Sequence, residues 1–235
     1  MKKDILFQLR KLYKKTSYQL FKSMKDNIDN PRVFGQTIGR RFGKFWEDCV
    51  KLLFQYAFPR QSYSRVMFTD FVKVYTNNFI VKNKVKSECK DALERLSYEF
   101  FKKSGTEKQD LCDIVIANSK GQKLALETKW RVLWNDAKTV RQTVLSGEQL
   151  LLLGYKPIIL LKRPRSESRE SVLSRCEKQG GWSIVDSNEA LDFIKKNTGF
   201  DLETWISREV DFWSLLKPFH RQFKRYHYLS KDFKF

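Results

Sequence analysis

Apolar side chains recur at helical spacing along much of this chain of 235 residues, and in a few short stretches they bunch into strand-like runs instead. Ile5, Leu6, Leu9, Leu12, Tyr13, Leu20 and Phe21 keep roughly helical spacing among lysines, which predicts a basic helix over the first 25 residues. Asn27, Asp29, Asn30 and Pro31 are expected to end it. From Gly39 to Phe58 the positions Phe42, Phe45, Trp46, Cys49, Leu52, Leu53, Tyr56 and Ala57 follow the i, i+3, i+4, i+7 rule. This is the strongest helix signal in the sequence, closed by Pro59. Gly35, Gly39 and Gly43 recur every fourth residue and predict a loop followed by a close helix approach. A further helix is expected from Ser87 to Phe101, broken at Gly105.

The pattern then changes. Leu111 to Ala117 and Gln122 to Lys129 are two runs rich in Ile, Val and Leu, joined by Asn118-Ser119-Lys120-Gly121, and they read as a β-hairpin. Asn135 or Asp136 can cap a helix running to about Leu153, with Gly154 where a left-handed residue belongs. Pro157 to Leu161 reads as a buried strand. A right-handed crossover then makes Ile158 to Leu161 parallel to Leu124 to Thr128. A helix near Ser168 to Lys178, a strand at Trp182 to Val185 and a helix from Ser187 to Lys196 continue the alternation. The fold class is therefore α/β: a mixed sheet with a central hairpin and a parallel crossover strand, flanked by helices.

A Trp- and Phe-rich helix is expected from Asp201 to Leu216. After it comes a tail in which Lys217, Arg221, Lys224, Arg225, Lys231 and Lys234 interleave with aromatic residues. No internal repeat or low-complexity linker is present. One domain is expected, with a basic N-terminal helix at about 1–30 and a basic, aromatic extension at about 201–235.

The hairpin determines which charged residues meet. With a three-residue loop, Ser119-Lys120-Gly121, Gly121 takes the position that needs a positive φ, and Asn118 faces Gln122. Counting outward, Asp113 comes opposite Glu127, and strand alternation puts Lys129 on the face of Glu127. Val115, Ala117 and Ala125 share that face, while Ile114, Ile116, Leu124 and Leu126 occupy the other, so the sheet should be covered on both sides. Charges in such strands are costly unless they are paired or bind metal. An Asp113–Lys129 ion pair with Glu127 solvated is the reading without chemistry. Asp110 has the wrong parity to join them.

Composition narrows the partners. The chain is 41% hydrophobic and 14% aromatic, enough for a packed interior, and no apolar run reaches the about 18 residues of a membrane span. Lys2 and Lys3 are not followed by a signal-peptide apolar stretch, so a cytoplasmic location is expected. Cys49, Cys89, Cys112 and Cys176 are scattered and the two histidines, His220 and His227, lie near the C-terminus, a pattern unlike a zinc site and consistent with inert reduced thiols. The formal net charge of +19 points to nucleic acid. Basic residues spread along the chain, rather than confined to one amphipathic helix, speak against a membrane surface.

Asp113, then Glu127-Thr128-Lys129 on the following strand, then a crossover helix and a parallel strand resembles the PD-(D/E)xK nuclease superfamily, most nearly type II restriction endonucleases. The likeness runs from the Gly39 helix to the Ile158 strand, roughly half the chain. Two departures stand out: Cys112 replaces the family's proline, and the exonuclease branch's Gln-x-x-x-Tyr is missing, since Ser146 lies four residues beyond Gln142. The resemblance implies Mg²⁺, with Mn²⁺ able to substitute, held by Asp113, Glu127 and the Thr128 backbone carbonyl, and Lys129 acting on the nucleophilic water. It implies further that Glu47 adds a carboxylate, that products carry 5′-phosphates, and that a homodimer cuts double-stranded DNA at specific sites without a small-molecule cofactor. Lys138, Arg141 and Gln142 on the crossover helix, and Arg40, Arg41 and Lys44 on the Gly39 helix, are the expected DNA contacts; a charged solvated face is the plain alternative. Trp130 and Trp134 read as packing residues. A repair or structure-selective nuclease, or a non-catalytic nucleic-acid-binding protein, are the rival functions.

Overall fold

Runs of β-branched and aliphatic residues that must hide both faces favour a central strand, and Lys123–Lys129 (β2) fills that role. The computed structural model describes residues 2–27, 30–59, 66–103, 110–117, 121–133 and 136–219. Four strands form one mixed sheet in the order β1-β2-β3-β4. Ile114–Ala117 (β1) runs antiparallel to β2 with Ile114 opposite Leu126 and Ala117 opposite Lys123. Lys156–Leu161 (β3) lies parallel to β2, with Leu124 beside Lys156 and Lys129 beside Leu161. Ser183–Asp186 (β4) is parallel to β3. The hairpin register is the one its three-residue loop requires, and Gly121 has the expected positive φ of 75°. Asn118, Ser119 and Lys120 lie outside the described residues.

The chain divides into two compact units, Phe58–Ser187 and Met1–Ala57 with Asn188–Phe235. In the first of these, Ala137–Leu152 (α5) crosses from β2 to β3 and Glu170–Gly180 (α6) from β3 to β4. The Asp136 carboxylate accepts the Thr139 hydroxyl and caps α5 by accepting the Thr139 and Lys138 amides, which together hold its pKa below the ordinary range. One sheet face presents Val115, Ala125, Ile159 and Leu161 to a core built from Val140, Val144 and Leu150 of α5 and Val172, Leu173 and Cys176 of α6. The opposite face, Ile114, Ile116, Leu124, Leu126, Ile158 and Leu160, is buried as well. Helices α5 and α6 approach where side chains are absent: a Cβ on Gly147 would overlap the Gly180 carbonyl and the Trp182 indole. That indole donates from Nε1 to the Thr143 carbonyl at 2.8 Å.

The same unit holds two helices ahead of the hairpin, Phe68–Asn83 (α3) and Lys90–Lys103 (α4), the latter entered through a single 3-10 turn at Ser87–Cys89. Rings from α3 and α4 interlock, Phe71 meeting Phe101 at 5.0 Å and Phe68 meeting Tyr98 at 5.6 Å. Helix α3 has no clear sequence signal. Val72, Val74, Thr76, Ile80 and Val81 are β-branched and its apolar residues lie all round, so packing rather than pattern makes it helical.

In the other unit, Lys2–Asp26 (α1) packs along Pro31–Ala57 (α2). Helix α2 starts earlier than its apolar stripe suggests. Pro31 lacks an N–H that the first helical turn would leave unsatisfied anyway, and the Asn30 side chain accepts the Val33 amide at 3.2 Å. Gly35, Gly39 and Gly43 are therefore helical, not part of a loop, and nothing approaches the Cβ position of Gly39. Ser187–Thr198 (α7) leads on to Leu202–Glu209 (α8) and Phe212–Leu216 (α9). The expected single helix from Asp201 to Leu216 breaks because Tyr13 Oη accepts the Asp211 amide at 3.0 Å while the Asp211 carboxylate accepts the Ser214 amide. Phe212 then seats its ring against Tyr13, Phe42 and Phe45 at 5.1–5.2 Å. The tail from His220 onward lies outside the described residues.

All four cysteines are unbridged thiols, and burial pushes Cys176 up to about 11. No helix among the described residues is long and apolar enough to cross a membrane.

Gly147→Ala overpacks the α5–α6 crossing and should destabilise by about 1–3 kcal/mol or more in urea unfolding; an unchanged midpoint would mean the helices part easily. Asp201 caps α8, and the Lys195 ammonium at 2.7 Å with the Thr204 amide lowers its pKa from 3.8 to about 2. Its stabilisation is complete above pH 3.8 and is lost as pH falls toward 2. Asp201→Asn should flatten the acid limb of stability in that window and nowhere else.

Candidate active site

Strand alternation places Glu127 and Lys129 on the sheet face that carries Ala125, with Ile159 and Leu161 beside them on β3. Glu127 is only 4% exposed. Its Oε1 lies 2.7 Å from Lys129 Nζ, and the lysine is about a quarter exposed, so the pair runs from the core toward solvent. Lys129 thus pairs with a buried Glu127, where the plain ion-pair reading had Glu127 solvated.

Asp113 departs from the simple register. The ladder ends at Ile114 opposite Leu126, and at Asp113 the backbone leaves the strand while its N–H still donates to the Leu126 carbonyl at 2.9 Å. The Asp113 Oδ2 accepts the Thr128 amide at 2.8 Å and the Thr128 hydroxyl at 2.9 Å. Thr128 alternates to the face opposite Glu127. Its contact with Asp113 sets one carboxylate oxygen, Oδ2, beside the β2 backbone at Thr128. The three residues occupy neighbouring positions at one sheet end; the count from the hairpin expected Asp113 directly opposite Glu127, and the ladder ends one pair earlier, at Ile114 and Leu126.

That end is the carboxyl end of the parallel strands β2 and β3, with the amino-terminal turn of α5 following after Asp136, the position where open α/β sheets commonly place their sites. Lys162 and Arg163 follow β3 directly. Their amides donate to the carbonyls of Lys129 and Trp130 at 3.0 Å, which keeps two more cationic residues beside the β2 exit. The Lys-Arg pair after the apolar run was the available signal for them, together with Arg131. The Thr128 hydroxyl had none, because its role depends on where β1 bends.

The expected DNA contacts divide between the two units. Lys138 and Arg141 are exposed on α5, with Gln142 half-buried in the same turn. In the other unit Arg40 is exposed, while Arg41 donates to Gln19 Oε1 at 3.0 Å and Ser23 Oγ at 3.3 Å, bracing α2 against α1. Glu47, on α2, is held by Lys51 at 2.6 Å and Lys44 at 3.0 Å, and Lys44 also meets Asp48 at 2.9 Å. Trp130 is buried, in keeping with packing; Trp134 lies outside the described residues.

Among the described residues no three His, Cys, Asp or Glu side chains converge into a cage. A magnesium ion requires less, since it keeps several waters and is commonly held through one or two carboxylates. Asp113, the buried Glu127 and the Thr128 carbonyl are all hard oxygen donors. Backbone N–H and C=O of one strand residue point to the same side, and the Thr128 amide points to Asp113, so its carbonyl does too. The donor set fits such a cation. Comparison with models of protein families, with curated proteins and with solved structures finds no match in any of the three.

Thr128→Val removes the hydroxyl donor to Asp113 while keeping the shape. A hydrogen bond to a charged acceptor contributes about 1.5–3 kcal/mol, so this variant should unfold at lower urea by about that amount. An unchanged midpoint would show that the Thr128 hydroxyl does not hold Asp113 in solution.

Proposed function

We propose that this protein is a Mg²⁺-dependent DNA endonuclease built on a restriction-endonuclease-like core, with Asp113, Glu127 and Lys129 at its active site. The observation that carries the reading is a carboxylate 4% exposed and ion-paired at 2.7 Å, with a second carboxylate, Asp113, held by the adjacent residue Thr128, at the carboxyl end of parallel strands. Asp113, Glu127 and the Thr128 carbonyl would hold the cation. When bound, Mg²⁺ supplies Lewis-acid stabilisation of the phosphoryl oxygens and lowers the pKa of water.

The chain's own groups do the rest. Glu127 fixes the Lys129 ammonium, whose exposed end can orient an incoming water and offset charge on a phosphate. Thr128 holds Asp113 in one orientation through two donors on one oxygen, leaving a carboxylate with further lone-pair capacity. Lys138 and Arg141 on α5 supply charge for backbone phosphates, in keeping with a formal +19 on the chain. Double-stranded DNA as substrate, cutting at specific sites by a homodimer, and 5′-phosphate ends rest on the family resemblance. A catalytic part for Glu47 rests on the same ground alone, for its carboxylate is already shared by Lys44 and Lys51.

Purified protein should cut plasmid DNA into discrete products with Mg²⁺ or Mn²⁺ and not with EDTA. Glu127→Ala and Lys129→Ala should each lower cutting by a factor of about 100 or more, the size typical of losing a preorganised charge, while DNA binding in EDTA persists. Cutting at full rate by either variant would remove the proposed site. Binding without cutting by the unsubstituted protein would favour a non-catalytic role in which the Glu127–Lys129 pair is structural.

A further inference from the structure

Helix α1 spends one face on the fold and presents a second, chemically patterned face to solvent. Ile5, Leu9, Thr16, Leu20 and Met24 are buried. On the opposite side Phe7, Lys11, Lys14, Tyr18, Phe21 and Lys25 fall within a stripe about 80° wide at the helical 100° per residue. All six are exposed, and the three aromatics are 63%, 70% and 44% accessible. The stripe runs about 27 Å along the axis, from the 1.5 Å rise per residue. The Phe7 and Tyr18 rings stand largely in water between these lysines.

We propose that this stripe is a binding surface for unpaired nucleic-acid strands. The lysines match a phosphate backbone, and the rings offer stacking faces that any base can use once it is out of a duplex. Two other occupants fit less well. A helix lying on a membrane needs a continuous apolar face with its lysines on the other side, and the apolar face of α1 is already buried. A second copy docked through the same stripe would bring lysines against lysines. The assignment stands apart from the nuclease reading, because it uses neither Asp113 nor Glu127. Where both hold, substrates with unpaired strands beside duplex become the natural class, which turns the proposed endonuclease toward the structure-selective mode.

The test is binding by the full chain in EDTA, so that hydrolysis plays no part. Fluorescence anisotropy would compare a labelled 20-nucleotide oligo(dT), a duplex of equal length, and vesicles containing phosphatidylserine. The triple variant Phe7→Ser, Tyr18→Ser, Phe21→Ser should weaken oligo(dT) binding about 100-fold or more and duplex binding far less, as expected for lost stacking. Lys11→Gln with Lys14→Gln should flatten the salt dependence of log K for oligo(dT) by about 1.4, from about 0.7 per phosphate contact. Circular dichroism would verify that the exposed substitutions leave the helices intact; should the triple variant fail to fold, the lysine pair alone decides. Unchanged oligo(dT) affinity in a folded triple variant, or an unchanged salt slope in the lysine pair, overturns the proposal. So does loss of vesicle binding or of a dimer in the triple variant with oligo(dT) binding intact.

Discussion

A carboxylate in a strand covered on both faces cannot rely on bulk water, and the placement of Glu127 in β2 makes that constraint the pivot of the Phe58–Ser187 unit. An isolated buried charge is far too costly to persist, so a partner must come from within the sheet. Lys129, two residues on and on the same face, supplies it. The arrangement is sensitive to register. Slipping β2 by one residue against β1 or β3 would turn Glu127 to the face of Leu124 and Leu126 and bring Thr128 to the face that packs on α5 and α6. The positive φ at Gly121, the end of the ladder at Ile114 and the crossing of α5 over α6 at Gly147 all protect that register.

The hairpin could be read from the sequence because its determinants are local: a two-residue period, a loop length and one glycine. The crossover was legible for a similar reason, since a cap residue, a helix length and an apolar run allow only one hand. Asp113 shows where local reasoning stops. Its carboxylate turns to Thr128 because the chain ahead of β1 is tied elsewhere: the Leu111 amide donates to the Val66 carbonyl at 2.9 Å, and Met67 and Asp110 form a β-bridge. Val66 and Met67 lead into α3, whose β-branched residues conceal a helix, so the anchor that bends β1 had no signal of its own. The early start of α2 was hidden by glycines that look like a loop, and the break before α9 by a hydroxyl from α1 nearly two hundred residues away in sequence.

The net charge also means something different once partners are known. Several arginines are consumed by the fold. Arg165 forks onto both Glu170 and Glu177 at 2.6–2.8 Å, Arg163 onto Glu167, and Arg10 onto Glu209 at 2.5 Å, geometries that suit a planar guanidinium. The Glu170 and Glu177 carboxylates hold the Arg165 pKa well above its ordinary value. The cations left exposed on α1 are mostly lysines, the compact, hydrated charges that take phosphate without demanding one geometry.

That division bears on how a polyanion would be handled. Carboxylates near a phosphodiester repel it, so a site built on Asp113 and Glu127 cannot also be the main source of affinity; it needs cations elsewhere to overcome its own charge. Lysines deliver such affinity over a long range and without sequence preference, while rings give it a dependence on strandedness that charge alone lacks. On the proposed reading, Asp113, Glu127 and Lys129 carry chemistry that binds substrate weakly, and the exposed stripe of α1 carries binding that does no chemistry. Each then makes the other's surface intelligible: the exposed rings of α1 are costly for a lone helix pair, and a buried acidic site is a poor DNA binder by itself.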